Sequence, residues 1–289
     1  MALFIQSFIN SLVLSVTLSL IALGVSLLFG ILLLVNLAHG ELYMVGAFVF
    51  WLFFQGLGVH PVFAVVASVV IVALLAAVVE RIAFRPIRGQ MIQGFITSMG
   101  VILILQTAAL LVFGPTDKAT PSFPGFGGLI KMGSISFAAD RVLVLIVGTV
   151  FILALNGFLR FNRWGKALQA IAQDPEAAAL QGIPINRAST LAMMIGGALA
   201  ALAGSILAPI SYVNPYIGQF PILKALAAVV IGGIGSLPGT IAACFILGFI
   251  EGYGSTYLGG PIAFMIIFSF LVLFILIRPH GLMGREVVH

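Results

Sequence analysis

Eight long apolar runs dominate the chain, at approximately 8–35, 42–58, 62–79, 95–113, 142–159, 189–209, 222–250 and 261–277. Most have the length of one bilayer crossing, because a spanning helix takes about 20 mostly apolar residues. The runs are continuous, whereas a membrane barrel would show short segments of alternating hydrophobicity. The pattern predicts an all-α polytopic membrane protein with about eight or nine transmembrane helices. No stretch is polar enough to form a separate soluble domain, so residues 1–289 read as a single transmembrane domain.

Two runs are interrupted. Between the first and second, Val35-Asn36-Leu37-Ala38-His39-Gly40-Glu41 places three polar side chains in apolar surroundings. Inside the seventh, Gly232-Gly233-Ile234-Gly235-Ser236-Leu237-Pro238-Gly239 breaks any helix. Interruptions at matching places in two halves suggest an inverted repeat with a pathway at its interface.

The polar loops divide by charge. Arg81, Arg85 and Arg88 follow the third run; Arg160, Arg163, Lys166 and Arg187 flank the loop after the fifth; Arg278 and Arg285 follow the last. Cytoplasmic loops collect Lys and Arg, so these regions are placed inside, while 114–140 and 210–221 fall outside. The run 222–250 then lies between an outer loop and one remaining span that ends inside. It must cross twice, or enter and return. Lys224 is expected to snorkel to the outer headgroups.

Composition supports this class and removes others. The chain is 62% hydrophobic and 7% charged, against roughly 25% charged residues in a soluble domain. The net charge of +5 reads as positive-inside topology in contact with lipid, not as a nucleic-acid surface. The single cysteine, Cys244, excludes an internal disulfide and a Cys-cluster metal site, and is expected to be a small packing residue. The N-terminus lacks a basic n-region, so the first run is expected to be a retained helix. There is no G-x-x-x-x-G-K-[ST] phosphate loop, so any ATP that drives transport is hydrolysed on another chain. No cofactor is implied, and no nucleophile or full metal-ligand set accompanies the polar residues.

Asn36, His39 and Glu41 are the costliest residues of the first half, since a charge at the bilayer centre costs about 2.5–3.5 kcal/mol on insertion scales. Two readings are open. They line a pathway or gate, or Asn36 caps a half-helix while His39 pairs with Glu41 as structural glue. The second break offers Gly233, Gly235, Ser236 and backbone, which are tolerated at membrane depth where they line a cavity or pack tightly.

The loop 160–188 reads RFNRWGKALQAIAQDPEAAALQGIPINRA. Asp174 is suited to cap a helix that starts at Pro175, with Glu176 in its first turn. Gly182 ends that helix, and Pro184 prevents its continuation. A short, well-capped cytoplasmic helix is a candidate docking element for a partner groove.

The same residues carry a resemblance. Glu176-Ala177-Ala178-Ala179-Leu180-Gln181-Gly182 is similar to the E-A-A-x-x-x-G pattern of permease subunits in bacterial ABC importers. Asn36 to Gly46 resembles the N-[FL]-A-H-G-E-x-Y-M-x-G signature of the branched-chain amino acid permeases, and Arg81 to Pro86 their R-x-A-[FY]-R-P segment. Asn214 to Gly218, Gly232 to Gly239 and Arg278 to Leu282 resemble further blocks in the same order. The closest likeness is to the H-type subunit.

The resemblance implies a bacterial inner-membrane permease that pairs with a second, related permease. Two cytoplasmic ABC ATPases would dock on the pair, and a periplasmic binding protein would deliver the substrate. Glu176, Ala177, Ala178 and Gly182, with the capping residues Asp174 and Pro175, would belong to the coupling helix. The expected function is ATP-driven import of leucine, isoleucine and valine or related amino acids. Urea or short amides on the same machinery, and an ion-coupled secondary transporter, are the rival readings.

Overall fold

The computed structural model describes residues 2–32, 36–132 and 135–283. Val35 and Arg285 lie outside the described residues. The chain is a helical membrane bundle. Its elements are α1 (Ala2–Leu32), α2 (His39–Trp51), α3 (Pro61–Val79), α4 (Met91–Phe113), a hairpin β1 (Leu129–Met132) and β2 (Ile135–Ala138), α5 (Ala139–Phe161), α6 (Arg163–Gln173), α7 (Pro175–Leu180), α8 (Ile185–Leu207), α9 (Gln219–Gly232), α10 (Leu237–Tyr257) and α11 (Gly260–Ile277). Among the described residues, seven helices are long and apolar enough to cross a membrane: α1, α3, α4, α5, α8, α10 and α11. The apolar helices α2 and α9 are shorter. α2 is extended by one wide turn, Leu52–Gly56, and α9 has 14 residues, about 21 Å at 1.5 Å per residue. The 14 residues of α9 cannot span an apolar layer of about 30 Å alone.

Small residues hold the bundle together. In lipid, apolar side chains gain little by leaving their surroundings, so helices associate through close backbone approach and hydrogen bonds. On α1, Ser7, Ser11, Ser15 and Ser19 repeat every four residues and bond back to the carbonyl one turn earlier, for example Ser15 Oγ to Ser11 O at 2.7 Å. The stripe faces α10, where Gly252 sits on Ser11 and Gly248 on Ser15 so closely that a methyl group would not fit. Further along, Thr240 Oγ1 donates to Ser26 Oγ at 3.3 Å. This register makes α1 and α10 antiparallel. Cys244 is buried, as a packing residue should be.

The same construction joins α3 to α8. Ser68 lies opposite Ser205, whose hydroxyl donates to the Ser68 hydroxyl at 2.9 Å, while Ala76 lies opposite Gly197. These helices are antiparallel too. Exchanging α1–α4 for α8–α11 carries the α1–α10 contact onto the α8–α3 contact, with every direction reversed. This is an inverted repeat, with α5, α6 and α7 inserted between its halves.

The repeat matches different breaks from those the sequence suggests. The break at Asn36–Ala38, between α1 and α2, with the first turn of α2 corresponds to residues 208–218 between α8 and α9. Both contain the spacing Asn-x-x-x-Gly, at Asn36–Gly40 and Asn214–Gly218. The Gly233–Ser236 break corresponds instead to the turn before Pro61. Pro61 and Pro238 each stand in the first turn of the following helix, where a missing N–H costs nothing.

The basic ends gather at one end of the bundle. The end of α3 meets the first turn of α8, α6 packs at Ala172 against Gly30 of α1, and Leu282 and Met283 donate backbone bonds to Ile231 and Gly232. Taking this end as the inner face, α1 begins outside and ends inside. The parity problem at 222–250 is resolved by length. The chain 208–218 re-enters from the outer face, and α9 covers only the remaining depth before α10 crosses outward.

Candidate functional site

The two short helices meet at their starts. Gly218, just before α9, lies against the backbone of Gly40 in the first turn of α2, and Ile222 packs on the same glycine. A side chain at Gly218 would strike the Gly40 carbonyl. This junction lies within the bundle, because His39 contacts Gly196 at the middle of α8 and Gly24 of α1. His39 is fully buried. The Ile21 carbonyl is close enough to interact with its ring, yet neither ring nitrogen makes a hydrogen bond of ordinary geometry among the described residues.

Asn36 and Glu41 are also buried. The Asn36 amide donates to the Met193 sulfur at 3.7 Å, a weak bond, and its oxygen has no partner among the described residues. Glu41 accepts from Gln106 of α4 at 2.9 Å through Oε1, while Oε2 has no partner among the described residues. Both parts of the structural-glue reading therefore fail. Glu41 pairs with Gln106 and not with His39. Asn36 does not cap α2, whose cap position is Ala38 with no side-chain bond. Each unsatisfied buried group costs about 1–3 kcal/mol, and such groups call for an explanation beyond packing. Gln106 was not singled out by the sequence, although it is the one amide in the run 95–113.

Gly233, Gly235 and Ser236 are not brought to that junction. Gly235 and Ser236 line a separate cavity of about 650 Å³ at the basic end, with Gly30 of α1, Gln169 and Gln173 of α6, and Met283. Ser236 caps α10 by accepting from Gly239 N at 3.3 Å. The cavity thus lies between this break and the loop helix α6.

Lys224, expected to extend to the outer headgroups, is instead paired with a carboxylate. It reaches from α9 to Glu251 on α10 and lies 2.7 and 2.8 Å from the two carboxylate oxygens. The side chains of Lys224 and Glu251 are 14% and 19% exposed. Glu251 stands inside α10 (Leu237–Tyr257) rather than at a solvated end. A charge pair between two apolar helices is costly to bury, and removing one partner would leave the other uncompensated.

At the inner face α7 is built as its residues predict. Asp174 Oδ1 accepts from Glu176 N at 3.0 Å and Ala177 N at 2.9 Å, and Pro175 occupies the first turn. Gly182 takes φ +79°, a left-handed conformation that suits glycine at a helix end. Its N–H bonds to Ala179 O and the Ile183 N–H to Ala178 O. Ala178 is buried, while Glu176 and Ala177 face outward and Leu180 is 89% exposed.

A buried ion cluster stands beside this helix. Glu80, fully buried at the end of α3, takes Arg85 and Arg88 at 2.9 Å each. Thr190 of α8 donates to Glu80 at 2.8 Å, and Arg88 donates to Asn186 at 3.0 Å. The first turns of α8, immediately after α7, are thereby tied to the end of α3. Arg85 and Arg88 follow Glu80 closely in the chain, whereas Thr190, which completes its hydrogen bonding, is remote.

Known proteins agree with this architecture. Residues 7–277 match the family described as Branched-chain amino acid transport system / permease component. The high-affinity branched-chain amino acid transport system permease protein LivH of Salmonella typhimurium is 36% identical, over 99% of this chain and 97% of that protein. The corresponding permease protein BraD of Pseudomonas aeruginosa is 33% identical over the same shares. Among solved structures, PsaBC from Streptococcus pneumoniae in complex with Fab shares the fold, with a TM-score of 0.51 at 19% identity, covering 94% of this chain and 91% of that one. The chain is a multi-pass membrane protein and belongs to the family of branched-chain amino acid transport permeases.

Proposed function

We propose that the chain is the permease subunit of an ATP-driven importer of leucine, isoleucine and valine in a bacterial inner membrane, where it supplies half of the translocation pathway. Family membership supports the substrate class, since the relatives are named for branched-chain amino acids. The observation that carries the ATP-driven part is α7, a capped helix at the basic end that presents Leu180 outward. A rigid, exposed helix between two spans gives a cytoplasmic ATPase a surface to hold.

The assembly would contain a second, related permease, two ABC ATPases and a periplasmic binding protein. α4 and α11, the last helices of the two repeats, are largely exposed, which leaves surface for lipid and for the second permease. ATP-driven closure of the ATPases would displace α7. Gly182 and Pro184 join α7 directly to α8, which is tied to α3 through Glu80 and packs on α2 through Gly204. Movement would thus reach the α2–α9 junction, with Asn36, His39 and Glu41 beside it.

The test is ATP-driven uptake of leucine into proteoliposomes that contain the whole assembly. Uptake that follows ATP hydrolysis supports the reading. Uptake of urea or short amides in place of leucine overturns the substrate, and uptake by this chain alone on an ion gradient overturns the ATP-driven part. Bulky replacements at Glu176 and Gly182 should uncouple hydrolysis from uptake; unchanged coupling and assembly would exclude α7 as the docking element.

A further inference from the structure

We propose that Lys224 and Glu251 form a two-point site for the zwitterionic backbone of an amino acid in transit. The Lys224 ammonium takes the α-carboxylate, and the Glu251 carboxylate takes the α-ammonium. This deepens the amino-acid reading above and rests on it.

Three observations carry the assignment. First, this pair brings one positive and one negative side chain together within the apolar helices. Glu41 has an amide partner, and Glu80 is held by two arginines at the basic end. Second, the pair is reachable. Both side chains are partly exposed, and the adjoining turns of α9 expose Phe220 and Leu223. Third, the pair has unused bonding capacity. Among the described residues Lys224 bonds only to the two Glu251 oxygens, whereas an ammonium has three donors and a carboxylate about four acceptor positions.

A zwitterion suits this pair for an electrostatic reason. Its insertion converts one ion pair into two, head to tail, and adds no net charge to the apolar layer. Each group that leaves water meets an opposite charge, which a lone carboxylate or a lone amine would not do at both ends. Phe220, which meets Phe264 edge-on with ring centroids 5.2 Å apart, and Leu223 supply apolar surface for an aliphatic side chain. A purely structural pair would hold α9 to α10 equally well as two neutral residues of similar volume, and the experiment separates the two roles.

The double variant Lys224→Met with Glu251→Gln is placed in the full assembly and reconstituted with the binding protein. The expected result is normal assembly and ATP hydrolysis stimulated by loaded binding protein, with leucine uptake lower by at least about tenfold, since both charge-assisted contacts are lost. Uptake at the wild-type rate overturns the site. If the double variant fails to assemble, Leu223→Cys with the ion pair intact decides. Leucine should slow maleimide labelling at that position, while isoamylamine and isovalerate, with one charge each, should not. Equal labelling under all three overturns the site. Absence of leucine uptake by the wild-type assembly would instead overturn the functional reading on which the site rests.

Discussion

The two half-length helices α2 and α9 hold equivalent places in the inverted repeat and differ in almost everything else. From His39 to Phe50, α2 is buried except at Val45 and Val49, and its carboxylate is matched by an amide from α4. α9 leaves Phe220 and Leu223 open on one face and reaches its neighbour through a full ion pair. The difference indicates a division of labour. A helix enclosed on all sides can anchor the junction, whereas a helix with an open face can meet a partner or a solute. Backbone packing at Gly40 and Gly218 ties the two together, so displacement of one is felt by the other.

The sharpest way to break this arrangement is at the point of contact. Gly218→Val should yield little or no monodisperse protein on size-exclusion chromatography, because the new side chain meets backbone that cannot rotate away. Leu223→Ala, on the open face of α9, should leave the yield unchanged. Equal yields for the two variants would show that the junction is not an anchor.

A smaller effect is expected on the buried side. Glu41→Ala leaves the Gln106 amide unpaired and should destabilise the protein by about 1–3 kcal/mol. The fall in thermal midpoint should be read in detergent. Glu41→Gln keeps a partner for Gln106 and should fall clearly less. Equal falls would mean that the charge, and not the hydrogen bond, is what α2 requires.

The smallest effect concerns the inner face. Asp174→Ala removes the acceptor for two backbone N–H groups of α7 and should destabilise that helix by about 1 kcal/mol. The fold should survive, and leucine transported per ATP hydrolysed should decrease. An unchanged ratio would separate the order of α7 from coupling.

Much of this was legible along the chain because it is local. Helix α7 follows from Asp174, Pro175 and Gly182 within nine consecutive residues, and its cap and its left-handed end are where those side chains require them. The apolar runs predicted the spans because a bilayer imposes a length. The breaks were legible as interruptions, but their pairing was not. Asn36–Gly40 and Asn214–Gly218 share only two residue types at a common spacing, too little to align by eye, whereas the Gly-rich Gly232–Gly239 segment drew attention and belongs at the inner end.

By itself the sequence determined that this is a helical membrane permease with a short capped helix in a basic loop, since composition, run length and short motifs act through nearest neighbours. Only the tertiary structure decided which remote polar groups meet. Lys224 and Glu251 are brought together by antiparallel packing of α9 on α10, and Glu80 finds Thr190 across the α3–α8 contact. The physical reason is common to both pairs. A buried charge is tolerated only beside partners; the neighbouring Arg85 and Arg88 supply charge to Glu80, but Thr190 and the Lys224–Glu251 pairing are set by the helix register.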